Sequence, residues 1–246
     1  MRTSSEILAV AAASLAVLVA VRVATAAPAD PPSPTAAAVL NEMRQTVSLK
    51  PASAFGGIAD PKARSVALFR EMGKVITHPR CANCHPAEHP AQGNDRHLHM
   101  PLVSRGPDGH GEGLPCASCH TGGNVWVGGT RIVTIPGHPN WGLAPASMAW
   151  QGKTLAEICA QLKDPARNGG RTLAQIQDHM AHDDLVGWGW NPGAGRTPAP
   201  GTQAQLGELT QAWIDTGAVC PAPGGTRVPT HDPAAKTAAV RLTPVG

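Results

Sequence analysis

The chain has 246 residues and a formal net charge of +3 at pH 7. Only 15% of the residues are charged, so the protein has no strong basic field with which to bind nucleic acid. With 27 glycines, 24 prolines, no tyrosine and two phenylalanines, the composition predicts a loop-rich fold with few aromatic side chains for a core.

The first segment of the chain has the pattern of a secretory signal peptide, over residues 1–26. Arg2 supplies the positive start, residues 7–21 are apolar apart from one serine, and residues 24–26 form an A-x-A cleavage signal. The apolar run is shorter than the roughly 20 residues that a membrane span needs, although an uncleaved anchor is the alternative. Cleavage before Ala27 predicts a periplasmic protein whose membrane contact is at most peripheral, in a compartment that permits disulfides.

Residues 27–60 are predicted to be a linker and lead segment, Pro-rich at first and with a short helix over 36–47. Asp60 and Pro61 then have the residue types of a helix start, and the apolar residues that follow recur with a helical period. This helix is expected to end near His78.

Two copies of Cys-x-x-Cys-His follow, and this pattern is the attachment site of a c-type haem. The spacing places both thiols on one side of a helical turn, where they can bond the two vinyl groups of one porphyrin edge. The next residue, a histidine, can then bind the iron as its proximal ligand. The sequence therefore predicts two covalently bound haem c groups, held by Cys81, Cys84 and His85 and by Cys116, Cys119 and His120.

The alternative is a structural site in which both cysteine pairs bind a single zinc ion. It does not explain why a histidine follows each pair, and the 31 residues between Cys84 and Cys116 exceed the common zinc spacing. A thioredoxin-like redox pair is a weaker alternative, because no βαβ pattern surrounds either motif.

The sequence between and after the motifs is rich in turns, with a short hairpin expected within residues 124–134. Three capping boxes then predict the starts of three helices. These helices are expected over residues 153–163, 172–182 and 202–217. We expect a mainly α, loop-rich, dihaem cytochrome c-like fold with little or no β structure, over residues 61–221, followed by a flexible tail over 222–246.

Two cysteines lie outside the motifs, and in an oxidising compartment they are expected to form a disulfide. They are Cys159, within a predicted helix, and Cys220, just after another. Two independent buried thiols are the alternative.

The second axial ligand of each haem decides what the iron can do. A histidine or methionine gives a six-coordinate electron-transfer site, whereas an open position permits peroxide or small-ligand chemistry. The candidates, ranked by their sequence context, are His99, His110, His179, His182 and Met148.

Several stretches resemble a group of exported bacterial dihaem proteins that are often labelled isoquinoline oxidoreductase subunits. The matching stretches are residues 78–85, 105–111, 158–165, 179–182 and 186–190, within a resemblance that covers roughly residues 62–221. The resemblance implies an electron-accepting role beside a molybdenum hydroxylase. No part of the sequence resembles the pterin-binding or iron–sulfur-binding parts of such a hydroxylase, so this chain is not expected to be its catalytic subunit.

The sequence as a whole predicts an exported dihaem c-type cytochrome that transfers electrons and accepts them from a partner oxidoreductase, such as a molybdenum hydroxylase or another dehydrogenase. No catalytic residues are discernible. The alternatives are a dihaem peroxidase-like enzyme or a haem sensor with one open iron.

Overall fold

The computed structural model describes residues 48–103, 105, 115–128 and 134–230. Within these residues the fold is mostly helical and rich in loops, as predicted, and it has two very small antiparallel sheets. The helices are α1 (Pro61–Ile76), α2 (Pro79–Ala82), α3 (Leu155–Leu162), α4 (Leu173–His182), α5 (Asp184–Gly187) and α6 (Gln203–Asp215). The strands are β1 (Ala91–Gln92), β2 (His97–Leu98), β3 (Val125–Trp126) and β4 (Thr134–Ile135). Short 3₁₀ turns occupy Ala52–Phe55, Cys116–Ser118, Ala146–Met148 and Trp188–Trp190.

The longer helices begin where the sequence predicts, because side chains satisfy their first backbone N–H groups. The Asp60 carboxylate accepts hydrogen bonds from two backbone N–H groups in the first turn of α1, which has Pro61 at its first position. Helices α3, α4 and α6 each begin with the predicted capping box, in which a threonine and a glutamate or glutamine exchange hydrogen bonds. The capping threonines are Thr154, Thr172 and Thr202.

Helix α6 is the centre of the hydrophobic core, since it packs against both α1 and α4. Trp213 of α6 is fully buried, and its ring lies 5.0 Å from that of Phe69 in α1. On the α4 side, Gly207 lies so close to Ala181 that an added Cβ would be only 2.5 Å from the alanine Cβ. These contacts hold three helices in one compact unit.

Helix α3 is tied to the rest of the core by packing and by a covalent bond. Leu155 lies against Gly73 of α1, where a side chain larger than hydrogen would clash. The predicted disulfide between Cys159 and Cys220 is confirmed, and it joins α3 to the segment after α6 across 61 residues of sequence. Cys159 has no exposed surface, so the bond lies inside the core.

Both ends of the described chain pack onto the helices. Leu49 and Phe55, from the predicted lead segment, are buried in the core. Val228, from the predicted flexible tail, is also buried, and its backbone forms hydrogen bonds with Gly152 and Lys153. These parts of the lead and the tail therefore belong to the folded unit. The predicted signal peptide, the predicted helix over 36–47 and the tail beyond residue 230 lie outside the described residues.

The two small sheets are both hairpin-like pairs. β3 and β4 pair antiparallel, as expected for residues 124–134, with Val125 opposite Ile135. The β1–β2 pair was not predicted, because two-residue strands are too short to show an alternating pattern. Its turn requires positive φ angles at Gly93 and Arg96. In the part of the chain that the structure describes, no helix is long and apolar enough to cross a membrane.

Candidate functional site: the two Cys-x-x-Cys-His motifs

The first motif starts directly after α1, on the short helix α2. Its start is fixed by His78, whose Nδ1 accepts the backbone N–H of Arg80 at 3.2 Å. The backbone N–H of Cys84 then bonds to the carbonyl of Cys81, which continues the turn. Cys81, Cys84 and His85 consequently line the same cavity, as the spacing of the motif predicts.

The two thiols of the first motif are not joined to each other. Removal from water raises the pKa of Cys81 to about 12, with a further contribution from Cys84 beside it. The same effect raises the pKa of Cys84 to about 11. Both groups are therefore neutral thiols at physiological pH, which suits an apolar cavity wall.

The histidine of the first motif is held in one orientation by two contacts. Its Nδ1 lies 2.8 Å from the backbone carbonyl oxygen of Met148. The indole of Trp150 stacks on the ring at 3.6 Å between ring centres and 3° between planes. Because a carbonyl oxygen can only accept, Nδ1 of His85 carries the hydrogen and Nε2 carries the lone pair. Burial lowers the pKa of His85 to about 4, so the ring is neutral at physiological pH.

A cavity of about 860 Å³ opens beside these residues. Its size falls in the range of about 300–1,000 Å³ that is usual for small-molecule and cofactor sites. Four helices supply one part of its apolar wall, through Val75, Ile76, Leu162, Ile176, Met180 and Leu206. Arg80 and Arg171 also line it, and guanidinium groups bind carboxylates well.

The second motif repeats the arrangement of the first on a 3₁₀ turn. His120 is joined to Cys116 by a backbone hydrogen bond of 2.9 Å, and its Nδ1 lies 2.7 Å from the carbonyl oxygen of Pro136. Trp141 stacks on its ring at 4.7 Å. Cys116 lines the large cavity, whereas Cys119 is exposed. Burial is also the main cause that lowers the pKa of His120.

The predicted distal ligands lie in different surroundings. His99 lies beside the second motif, with its ring centre 5.8 Å from that of His120. His179 and Met148 line the cavity of the first motif. His182 is on the surface, with 71% of its side chain exposed. His110 lies outside the described residues.

Three features near the motifs were missed by reasoning from sequence. Trp141 and Trp150 stack on motif histidines that are far from them in sequence, so no local sequence pattern predicts these contacts. Arg96 is buried, and its Nε donates to the side chain of Asn83 inside the first motif. The two terminal nitrogens of Arg96 have no partner within the described residues, which leaves them available to an anionic group. The third feature is Arg80 on the cavity wall, and its position next to Cys81 in the sequence could have indicated it.

Among the described residues, no group of three or more His, Cys, Asp or Glu side chains is arranged to hold a metal ion. Comparison with known proteins gave no match, whether with family models, with curated proteins or with solved structures.

Proposed function

We propose that this protein is an exported dihaem c-type cytochrome, which receives electrons from a partner oxidoreductase and passes them on. The observation that carries the proposal is the matching environment of the two motif histidines. Each donates Nδ1–H to a backbone carbonyl and packs against an indole. Histidines that bind a metal through one ring nitrogen usually donate the N–H of the other ring nitrogen in this way. That hydrogen bond fixes the tautomer and directs Nε2 at the metal.

The surroundings of the first motif also fit a haem. The two thiols and the imidazole face a cavity that is large and mainly apolar, as a porphyrin requires. Arg80 and Arg171 on its wall are suitable partners for the two propionates. Cys81 and Cys84 would each add S–H across a vinyl group, so that a thioether forms without any change in the oxidation state of the iron. When bound, the haem iron would supply one-electron transfer, with a potential set by its axial ligands.

The second motif has the same residue types, but its surroundings are more exposed to solvent. Cys116 lines the large cavity, and Cys119 is exposed to solvent. Large apolar side chains close to it in sequence are exposed as well, including Val125, Trp126 and Val127. A second covalently attached macrocycle would supply apolar surface for such side chains to contact.

The proposal of a periplasmic location rests on the signal-peptide pattern, because haem is joined to this motif outside the cytoplasm in bacteria. A partner such as a molybdenum hydroxylase or another dehydrogenase is proposed from the sequence resemblance alone. Redox partners usually meet through small, transient contacts, so a weak complex is expected.

The first test is the mass of the protein purified from the periplasm. We expect a chain that starts near Ala27 and carries two covalent haems. A variant with Cys81→Ala and Cys84→Ala should lose one haem and keep the other, whereas one with Cys159→Ala and Cys220→Ala should keep both. A chain that carries zinc and no haem would contradict the proposal.

The second test separates electron transfer from catalysis. Oxidised protein is mixed with candidate reduced donors in a stopped-flow instrument, and peroxide turnover is measured on the same preparation. Rapid reduction of both haems by a donor, with negligible peroxide turnover, is the expected result. Fast peroxide reduction by a protein that no donor reduces would favour the peroxidase-like enzyme instead.

A further inference from the structure

The hydrogen bonds at Nδ1 divide eight of the nine described histidines into those that can bind a metal through Nε2 and those that cannot; Nδ1 of the ninth, His89, has no partner within the described residues. His78 and His138 accept a backbone N–H at Nδ1, so the neutral ring carries its hydrogen on Nε2 and has no lone pair there. In His97 both nitrogens are engaged, one by Asp95 and the other by Gln92. A second group has Nδ1 against an oxygen that only accepts, which leaves the lone pair on Nε2. This group consists of His85, His120, His99, His179 and His182.

His99 and His120 have the separation that two ligands of one metal ion require. Their ring centres are 5.8 Å apart, with 60° between the ring planes. Two imidazoles on opposite sides of a metal, each bound at about 2 Å, have ring centres about 6 Å apart. Nδ1 of His99 donates to the carbonyl of Pro101 at 2.8 Å, and its backbone N–H donates to Pro90 at 3.0 Å. The ring is therefore held beside the second motif.

In the first motif, His179 lines the same cavity as His85. Its Nδ1 lies 3.1 Å from the carboxylate of Asp183. That carboxylate is itself fixed, because it accepts the backbone N–H groups of Leu185 and Val186 at the start of α5. A carboxylate behind an imidazole orients the ring and strengthens it as a ligand.

Of the other three predicted ligands, His110 lies outside the described residues, and His182 and Met148 fit these positions less well. His182 makes the same kind of contact, to Asp178, but it lies on the surface and does not line the cavity. The carbonyl of Met148 lies at Nδ1 of His85, on the side of the ring that faces away from Nε2. A distal ligand has to approach from the opposite side of the porphyrin.

We propose that His179 is the sixth ligand opposite His85, and His99 the sixth ligand opposite His120. This assignment rests on the proposed function. Each iron would then be bound by two imidazoles of its own and would have no open position for peroxide. Histidine gives a lower potential than methionine as the second ligand, which suits proteins that exchange electrons at low potential.

The test uses the holoprotein with His99→Ala, with His179→Ala and with both substitutions. Electron paramagnetic resonance and visible spectra of the ferric protein report the spin state, and carbon monoxide binding to the ferrous protein counts open irons. We expect two low-spin haems and no carbon monoxide bound in the unsubstituted protein. Each single variant should have one high-spin haem and bind one carbon monoxide, and the double variant should bind two.

The chain offers a matched control for each substitution. His97 is two residues from His99 and has both nitrogens engaged, and His182 is one turn from His179 on the same helix. His97→Ala and His182→Ala should leave both spectra unchanged. Added imidazole should return the single variants to low spin if only the ligand has been lost; failure of this rescue would count against the assignment.

The haem content of every variant, measured by mass spectrometry, distinguishes failure of the proposed function from failure of the ligand assignment. A protein without covalent haem would overturn the proposed function. Two haems with unchanged spectra in either His99→Ala or His179→Ala would overturn the corresponding ligand assignment and leave the proposed function standing.

Discussion

The disulfide between Cys159 and Cys220 should contribute a large part of the stability of the fold. It closes a loop with a sequence separation of 61 residues. In the chain-entropy treatment, a crosslink over a loop of this length lowers the entropy of the unfolded chain enough to stabilise the folded state by about 4 kcal/mol. Helix α3 contacts α1 through few residues, and the disulfide joins it covalently to the segment after α6.

The perturbation is the double substitution Cys159→Ala and Cys220→Ala, and the assay is urea unfolding of the holoprotein followed by far-ultraviolet circular dichroism. With a slope of about 2 kcal/mol per molar urea, the midpoint should fall by about 2 M. The single variant Cys220→Ala also breaks the crosslink but keeps the sulfur of Cys159 in the core, so the difference between the two variants isolates the packing of that sulfur. A loss below about 1 kcal/mol in both would refute the chain-entropy reasoning.

Two further substitutions test the packing and the capping of the helices. Gly207→Ala places a Cβ 2.5 Å from that of Ala181, so we expect thermal unfolding to show a loss of about 1–3 kcal/mol, whereas Gly57→Ala, which meets no atom within 4 Å, should cost little. A stable Gly207→Ala variant would mean that α4 and α6 can separate at no cost. Thr154→Ala removes the hydroxyl that accepts the backbone N–H of Glu157, and the urea midpoint should report a loss of about 1 kcal/mol. An unchanged midpoint would show that this capping box is dispensable.

Local patterns in the sequence were sufficient to locate the helices and both motifs. A capping box consists of four consecutive residues, so it can be recognised from the local sequence. The observed helices α3, α4 and α6 begin within two residues of the predicted starts. The Cys-x-x-Cys-His pattern is equally local. The pairing of Cys159 with Cys220 was predictable for another reason, because no other cysteines lie outside the motifs.

Contacts between distant segments could not be predicted in this way. The approach of His99 to His120 depends on the path of the loop between the motifs, which has no regular period. The orientation of His85 depends on Met148, 63 residues away, and on Trp150. The burial of Val228 shows the same limit: a polar, Pro- and Gly-rich tail predicts mobility, yet two backbone hydrogen bonds and one apolar side chain attach it to the start of α3.

The positions of the tryptophans explain how a chain with few aromatic residues can both fill its core and orient the two motif histidines. Trp213 fills the helical core with Phe69, whereas Trp150 and Trp141 each cover one face of a motif histidine. An imidazole that donates Nδ1–H to a carbonyl and lies flat on an indole can rotate about neither side-chain torsion without losing a contact. The direction of Nε2 is therefore set by the protein before any metal binds. In the proposed haem sites, a ligand arranged in advance would not need to be ordered on binding, so more of the metal–ligand free energy would be available to hold the cofactor.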